Sequence, residues 1–276
     1  MKPVNWIFDF ISKDILASKS ISKDLLAKAS GEFSLLCFIL NEESRLPKKY
    51  LKLLKIIDNK NILPEYHGIF TKYCLENTID FQSIRKSDAK GLEIDYIKSI
   101  FYNENHNWFG KFLFYLKDIE SKGIGTANTY YLTHIIFYST HFGSNDYWNE
   151  QLKMKTLCLE VLSLCIDKYN VQKNWDLLRE LYLCQLYMDN NLIDHVKQVF
   201  DRENRSIKSK QGWYLSDGNR LNHYETHYSS LTSEEKYSLY HTTIISLILE
   251  ITIEKMIDDN MLAHIPCSFS LKSHYK

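Results

Sequence analysis

The chain has 276 residues, 45% of them hydrophobic and 25% charged, which is enough apolar content for a sizeable core and excludes a disordered or fibrous chain. Only 9 Gly and 4 Pro are present, too few for a turn-dense β-sandwich or a Gly-rich phosphate-cradling fold. The 34 basic and 34 acidic residues cancel, and Arg45, Arg85, Arg179, Arg202, Arg205 and Arg220 are the only arginines, so neither a global field nor a supply of bidentate donors favours nucleic acid.

Apolar residues recur at i, i+3, i+4 and i+7 along most of the chain, the period of amphipathic helices. Pro3 suits a first turn, and Trp6, Ile7, Phe10, Ile11 and Ile15 draw the buried stripe of a first helix. Ser22 caps a second, with Leu25, Leu26, Ala29, Phe33, Leu36, Cys37 and Leu40 as its stripe. Pro47 and Pro64 introduce helices over 48–58 and 65–76, and 77–91 reads as a loop or half-turn element. Helices follow over 93–102 and 108–120, ending near Asn103 and Gly123. Thr126 or Asn128 caps the next, which the pattern carries to Phe142 with Gly143 in a left-handed C-terminal position. Asn145 or Asp146 opens a long helix to Tyr169, Asn174 caps 175–188, and 189–191 makes a break before 192–202. The stretch 203–231 is irregular, its run from Arg202 to Lys210 basic and read as a solvated loop or an anion contact. Thr232 and Glu235 then form a capping box for a helix that runs to about Leu262, before Pro266.

These elements predict an all-α fold: an irregular stack of antiparallel helical hairpins, or a closed α/α toroid. No repeat of fixed period supports a regular solenoid. A break at 77–91 suggests an N-terminal helical subdomain at 1–76 and a main body at 92–276, with one continuous domain as the alternative. The six cysteines form no C-x-x-C pair and read as buried free thiols. With no signal-type apolar run and no segment long enough to span a bilayer, the expected location is cytoplasmic.

Four clusters carry candidate chemistry. In YYLTHIIFYSTHFG (130–143), His134 and His141 lie seven apart on one helix face, with Thr133 and Thr140 on an adjoining line. Seven residues rise about 10.5 Å, so the two imidazoles cannot share one metal ion, and either one lines a polar cavity as a general acid/base or both are hydrogen-bonded core residues. On the last helix, Tyr240, His241, Thr242 and Thr243 form a polar collar in an apolar stretch, which makes a pocket between helices if it faces His134. In WDLLRELYLCQLY (175–187), Arg179 and Glu180 are neighbours that point about 100° apart and so need different partners. Arg179 is the candidate for holding a carboxylate. Finally His223, Glu225 and His227 form H-x-E-x-H, a metal trio if the segment is extended, and the ground for keeping a divalent metal open. No cofactor is otherwise expected, and no P-loop, G-x-S-x-G or G-x-G-x-x-G motif is present.

The segments LTHIIFYSTHFG, WDLLRELYLCQLY and LYHTTIISL together resemble an uncharacterised bacterial all-helical family that carries T-H-x-x-F/Y ending in F-G, an acidic helix and Y-H-T-T. The resemblance covers about 126–250, implies an all-α fold and picks out Thr133, His134, Glu180, Tyr240, His241 and Thr242. The family has an acidic residue where this chain has His141, and no activity comes with it. Two functions follow from the residues. The first is a scaffold that binds a peptide or protein, such as an accessory or immunity component of a bacterial peptide pathway, with Trp148, Trp213, Tyr214 and Tyr224 near loops as interface anchors. The second is an enzyme with a pocket between helices acting on a peptide or small molecule by acid/base or metal-assisted chemistry, with His134, His241 and Tyr240 catalytic and Thr133, Arg179, Glu180 and Thr242 on the substrate. Association of copies of the chain is left open.

Overall fold

The computed structural model describes residues 2–18, 21–63, 65–77, 91–218, 224–225 and 227–263. Among them are eleven α-helices and no strand, and no helix long and apolar enough to cross a membrane. The helices are α1 (Pro3–Asp9), α2 (Lys23–Glu42), α3 (Lys48–Lys60), α4 (Glu65–Cys74), α5 (Leu92–Tyr102), α6 (Trp108–Lys122), α7 (Thr126–Ser139), α8 (Leu152–Gln172), α9 (Trp175–Met188), α10 (Ile193–Ile207) and α11 (Ser233–Ala263). Helix boundaries follow local chemistry where the caps are strong. Ser22 and Asn174 each accept the amide three residues on, Thr232 and Glu235 exchange the two bonds of a capping box, and Asn103 and Gly123 end their helices at positive φ.

Two departures from the sequence pattern have clear causes. Helix α1 runs on as a π turn over Phe10–Leu16. Residues five apart diverge by about 140° on an α-helix, and the wider turn brings Phe10 and Ile15 to the same buried side. Helix α7 stops at Ser139, not Phe142, because Thr140 turns back to bond Ile136 and then receives the amide of Gly143. His141, Phe142 and Gly143 all adopt positive φ (47°, 51° and 82°). His141 is therefore off the helix face expected for it, and its Nδ1 meets the Tyr96 hydroxyl at 2.8 Å. A Cβ at Gly143 would lie 2.5 Å from Tyr187 Cδ1, so both the backbone and the space require glycine.

Helix α9 is the centre of the molecule. It packs against α7, α8, α10 and α11, and twelve of its residues are buried. Helix α11 in turn packs on α1, α2 and α10. Buried side chains from Trp6 through Ile253 belong to one hydrophobic cluster, so the segment 1–76 and the segment after 92 share a core. The loop aromatics expected as surface anchors are mostly interior: Trp148, Trp213 and Tyr214 are buried, and Tyr224 is partly so. The described cysteines are buried free thiols, as their scattered spacing predicts.

Candidate functional site

Asp176 and Glu180 lie four residues apart and so share one face of α9. Because α9 is enclosed, both carboxylates leave water and must find donors inside the protein. Asp176 finds four contacts. Its Oδ1 accepts from Thr242 Oγ1 at 2.8 Å and from His241 Nδ1 at 2.9 Å. Its Oδ2 accepts from the Tyr130 hydroxyl and lies 3.1 Å from the same His241 nitrogen. Glu180 finds fewer: Oε2 accepts from Thr133 Oγ1 at 2.5 Å, while Oε1 takes no hydrogen bond and lies 3.8 Å from His241 Nε2. His241 thus stands between the two carboxylates, its Nδ1 turned to Asp176 and its Nε2 towards Glu180.

Glu180 and His241 border a cavity of about 300 Å³ bounded by α2, α5, α7, α9, α11 and Phe142. Its walls are largely apolar, formed by Leu35, Leu36, Phe137, Leu183, Ile244 and Ile245. Its polar groups include His134, Glu180, His241 and Glu32. Glu32 Oε1 accepts from the Tyr237 hydroxyl, whereas Oε2 is buried and takes no hydrogen bond. His134 Nδ1 lies 2.7 Å from the Tyr130 carbonyl, which can only accept. The ring is therefore protonated at Nδ1, leaving Nε2 as an acceptor. A second cavity, of about 380 Å³, meets the first across Ile39, Phe142 and Ile248.

Burial and charge set the protonation states. Burial pushes Glu180 up to about 8, against the opposing pull of His241. Burial would lower His241, but Asp176 and Glu32 outweigh it and hold the imidazole up at about 10. Asp176 is desolvated too, yet His241 and its three hydrogen-bond donors keep it below the usual carboxylate range. Burial raises Glu32 and lowers His134, so His134 is the neutral imidazole of the pocket. At neutral pH the chain therefore presents a protonated His241 backed by an ionised Asp176, facing a Glu180 that resists ionisation.

Of the candidates read from the sequence, His134, His241 and Glu180 come together on the cavity. Thr133 and Thr242 sit behind it and fix the two carboxylates. Tyr240 does not reach it. One residue before His241, it turns about 100° away, stacks on Phe10 at 4.6 Å and donates to the Ala29 carbonyl. Arg179 also turns away from the cavity. It is fully buried on the side of α9 facing α10, 3.0 Å from Glu203, bonded to Asn204 and stacked over Phe200. The substrate-holding role expected of it is thus taken up by a structural carboxylate. Of the H-x-E-x-H trio, His223 lies outside the described residues, and Glu225 accepts from the Lys210 amide. Among the described residues the group able to bring metal-ligand atoms together is a different one, Asp176, Glu180 and His241, whose ligand atoms lie within 4.8 Å of one another.

Sequence reasoning missed Asp176 and Glu32. Asp176 was legible as the i−4 partner of Glu180, although its place in a first turn disguised it as an ordinary helix-end acid. Glu32 was legible as a lone carboxylate in the apolar run GEFSLLCFIL.

The fold and cavity define an all-helical protein with a polar-ended pocket between helices. Residues 120–250 match the family model of a domain of unknown function, DUF6895. That span contains His134, Asp176, Glu180 and His241, and agrees in extent with the resemblance to an uncharacterised helical family, while Glu32 is contributed from outside it. No curated protein and no solved structure matches the chain.

Proposed function

We propose that the protein takes a small, largely apolar molecule, or an apolar side chain of a peptide, into the cavity bounded by α2, α7, α9 and α11, and engages its polar group with His241 and Glu180. The observation that carries this reading is the convergence of His134, Glu180 and His241, from three helices, on one cavity with apolar walls. Pockets of this kind bury the body of a ligand against aliphatic and aromatic side chains and orient it by a few polar atoms. Asp176 fixes the His241 ring, Thr133 fixes Glu180, and His134 adds a neutral acceptor. A charged imidazole beside a carboxyl group that resists ionisation is suited to donating a proton at a bound polar atom, with the neutral His134 as the acceptor.

A peptide is favoured over a compact molecule by the second cavity, which continues the first past Phe142. An apolar side chain in the inner cavity would leave its backbone free to run into the outer one. The reading is tested with hexylamine, hexanoate and leucyl-leucine as probes. Saturable protection against thermal unfolding by any of the three is expected for the native chain and not for Ile245→Trp, which fills the inner cavity. Equal responses of the two proteins to all three probes would remove the reading.

A further inference from the structure

Three polar atoms stand at this cavity: Glu180 Oε1 and His241 Nε2, which face each other beyond hydrogen-bond distance, and Glu32 Oε2, which is buried without a hydrogen bond. Glu180 is 1% exposed, and its Oε1 accepts nothing while Oε2 is occupied by Thr133. His241 Nε2 makes no hydrogen bond and lies 3.8 Å from that same oxygen. Glu32 Oε2 is buried and unpartnered. Buried carboxylate oxygens are normally paired, and a core built only to pack would neither leave Glu32 Oε2 unpaired nor hold Glu180 Oε1 and His241 Nε2 3.8 Å apart across a cavity.

The other side of His241 supplies what these atoms lack. Asp176 takes the Nδ1 hydrogen at 2.9 Å and is itself held by Thr242 and Tyr130. A carboxylate behind a histidine fixes the tautomer, aims the far nitrogen and raises its basicity, the usual arrangement behind a metal-bound imidazole. Both Asp176 oxygens are already engaged by these donors, so its chemistry is to orient. Glu180, with one oxygen anchored and the other free, is placed to ligate.

We propose that His241 Nε2 and Glu180 Oε1, each releasing its proton to solvent as the ion binds, are ligands of a divalent transition-metal ion at the polar end of the cavity, with Asp176 as the positioning residue behind His241. The imidazole favours zinc or iron over magnesium, and the carboxylate also admits manganese. The cavity leaves room on the ion for the polar group of a bound molecule, so a ligand engaged by His241 and Glu180 would be engaged through the metal. The inference uses the same pocket as the proposed function, but it stands on two side chains at one end and does not require the apolar walls.

The test is isothermal titration of chelator-stripped full-length protein with Zn²⁺, Mn²⁺ and Mg²⁺, together with the visible spectrum of the Co²⁺ form. One saturable Zn²⁺ or Mn²⁺ site is expected, with Mg²⁺ weaker. Glu180→Gln, which keeps the shape and the Thr133 contact, should weaken it at least tenfold and change the Co²⁺ spectrum. Asp176→Asn should weaken it by about 10- to 100-fold. Probe protection is measured on the same native protein, so that saturable metal binding without protection, or protection without metal binding, separates failure of the cavity reading from failure of this one. Circular dichroism of each variant confirms that it is folded. Absence of saturable binding, or binding unchanged by Glu180→Gln, overturns the proposal, as does a site lost only on His223→Gln.

Discussion

Arg179 and Glu180 are consecutive on α9 and both are buried to about 1% or less, yet their surroundings differ in kind. Arg179 faces α10, where Glu203, Asn204 and the Phe200 ring enclose the guanidinium. The Glu203 carboxylate is itself held by the Tyr182 hydroxyl at 3.2 Å. Glu180 faces α7 and α11, where one of its oxygens opens on the cavity with His241 Nε2 3.8 Å away. Two buried charges one residue apart therefore illustrate two uses of burial. One charge has been paired with an opposite charge and closed over, its Nε and Nη1 taking no hydrogen bond. The other has been left short of partners beside a space that a ligand can fill.

The largest expected effect breaks the closed side. Arg179→Ala leaves Glu203 buried beside a lost cation, and should cost about 3–5 kcal/mol in urea unfolding. Arg179→Met combined with Glu203→Leu removes both charges at similar volume and should recover most of that loss. If the double variant is no more stable than the single, the pair is doing more than filling and neutralising one face of α9, and the contrast with Glu180 weakens.

A smaller effect is expected on the open side. Asp176→Asn keeps the shape of the side chain but removes the charge that stabilises protonated His241, and places an amide against donors from Thr242 and Tyr130. A loss of about 1–3 kcal/mol is expected, with the His241 resonances in proton–nitrogen spectra titrating at lower pH than in the native chain. An unchanged titration would mean that Asp176 does not govern the imidazole.

The helices were readable in the sequence because their caps are local: Ser22, Asn174 and the Thr232–Glu235 box need only residues a few positions away. The π turn after α1 and the early end of α7 were not, since one answers to the packing of Phe10 on Tyr240 and the other to Thr140, whose hydroxyl bonds Ile136 and takes the Gly143 amide in a turn that Tyr187 then packs against. The site follows the same division. Polar residues out of place in apolar helices marked His134, Glu180 and His241 as candidates. Which of their neighbours join them depends on helix rotation and on packing partners from distant segments. A turn of about 100° carries Tyr240 to α2 and Arg179 to α10, and only the assembled fold brings Asp176 and Glu32 to His241.

The smallest effect is the sharpest, because it separates stability from function at one residue. Burial raises Glu180 above its unfolded value. The folded protein then holds a proton on it between the ordinary carboxylate range and about 8, where the unfolded chain has already released it. Folding therefore binds protons in that window, and the contribution of Glu180 to stability declines as pH rises through it. Glutamine cannot titrate and resembles the protonated acid. Chelator-treated Glu180→Gln should match the native chain near pH 5 and become the more stable of the two as pH rises through about 8. The raised His241 also loses stability as pH rises towards 10, but it is present in both proteins and largely cancels in the difference. A pH-independent difference in paired unfolding curves would place Glu180 with Arg179 among buried charges held by an ion pair. A crossover to the variant, in a protein that has lost its metal affinity, would identify a carboxylate kept at a cost to the fold for what it holds in the cavity.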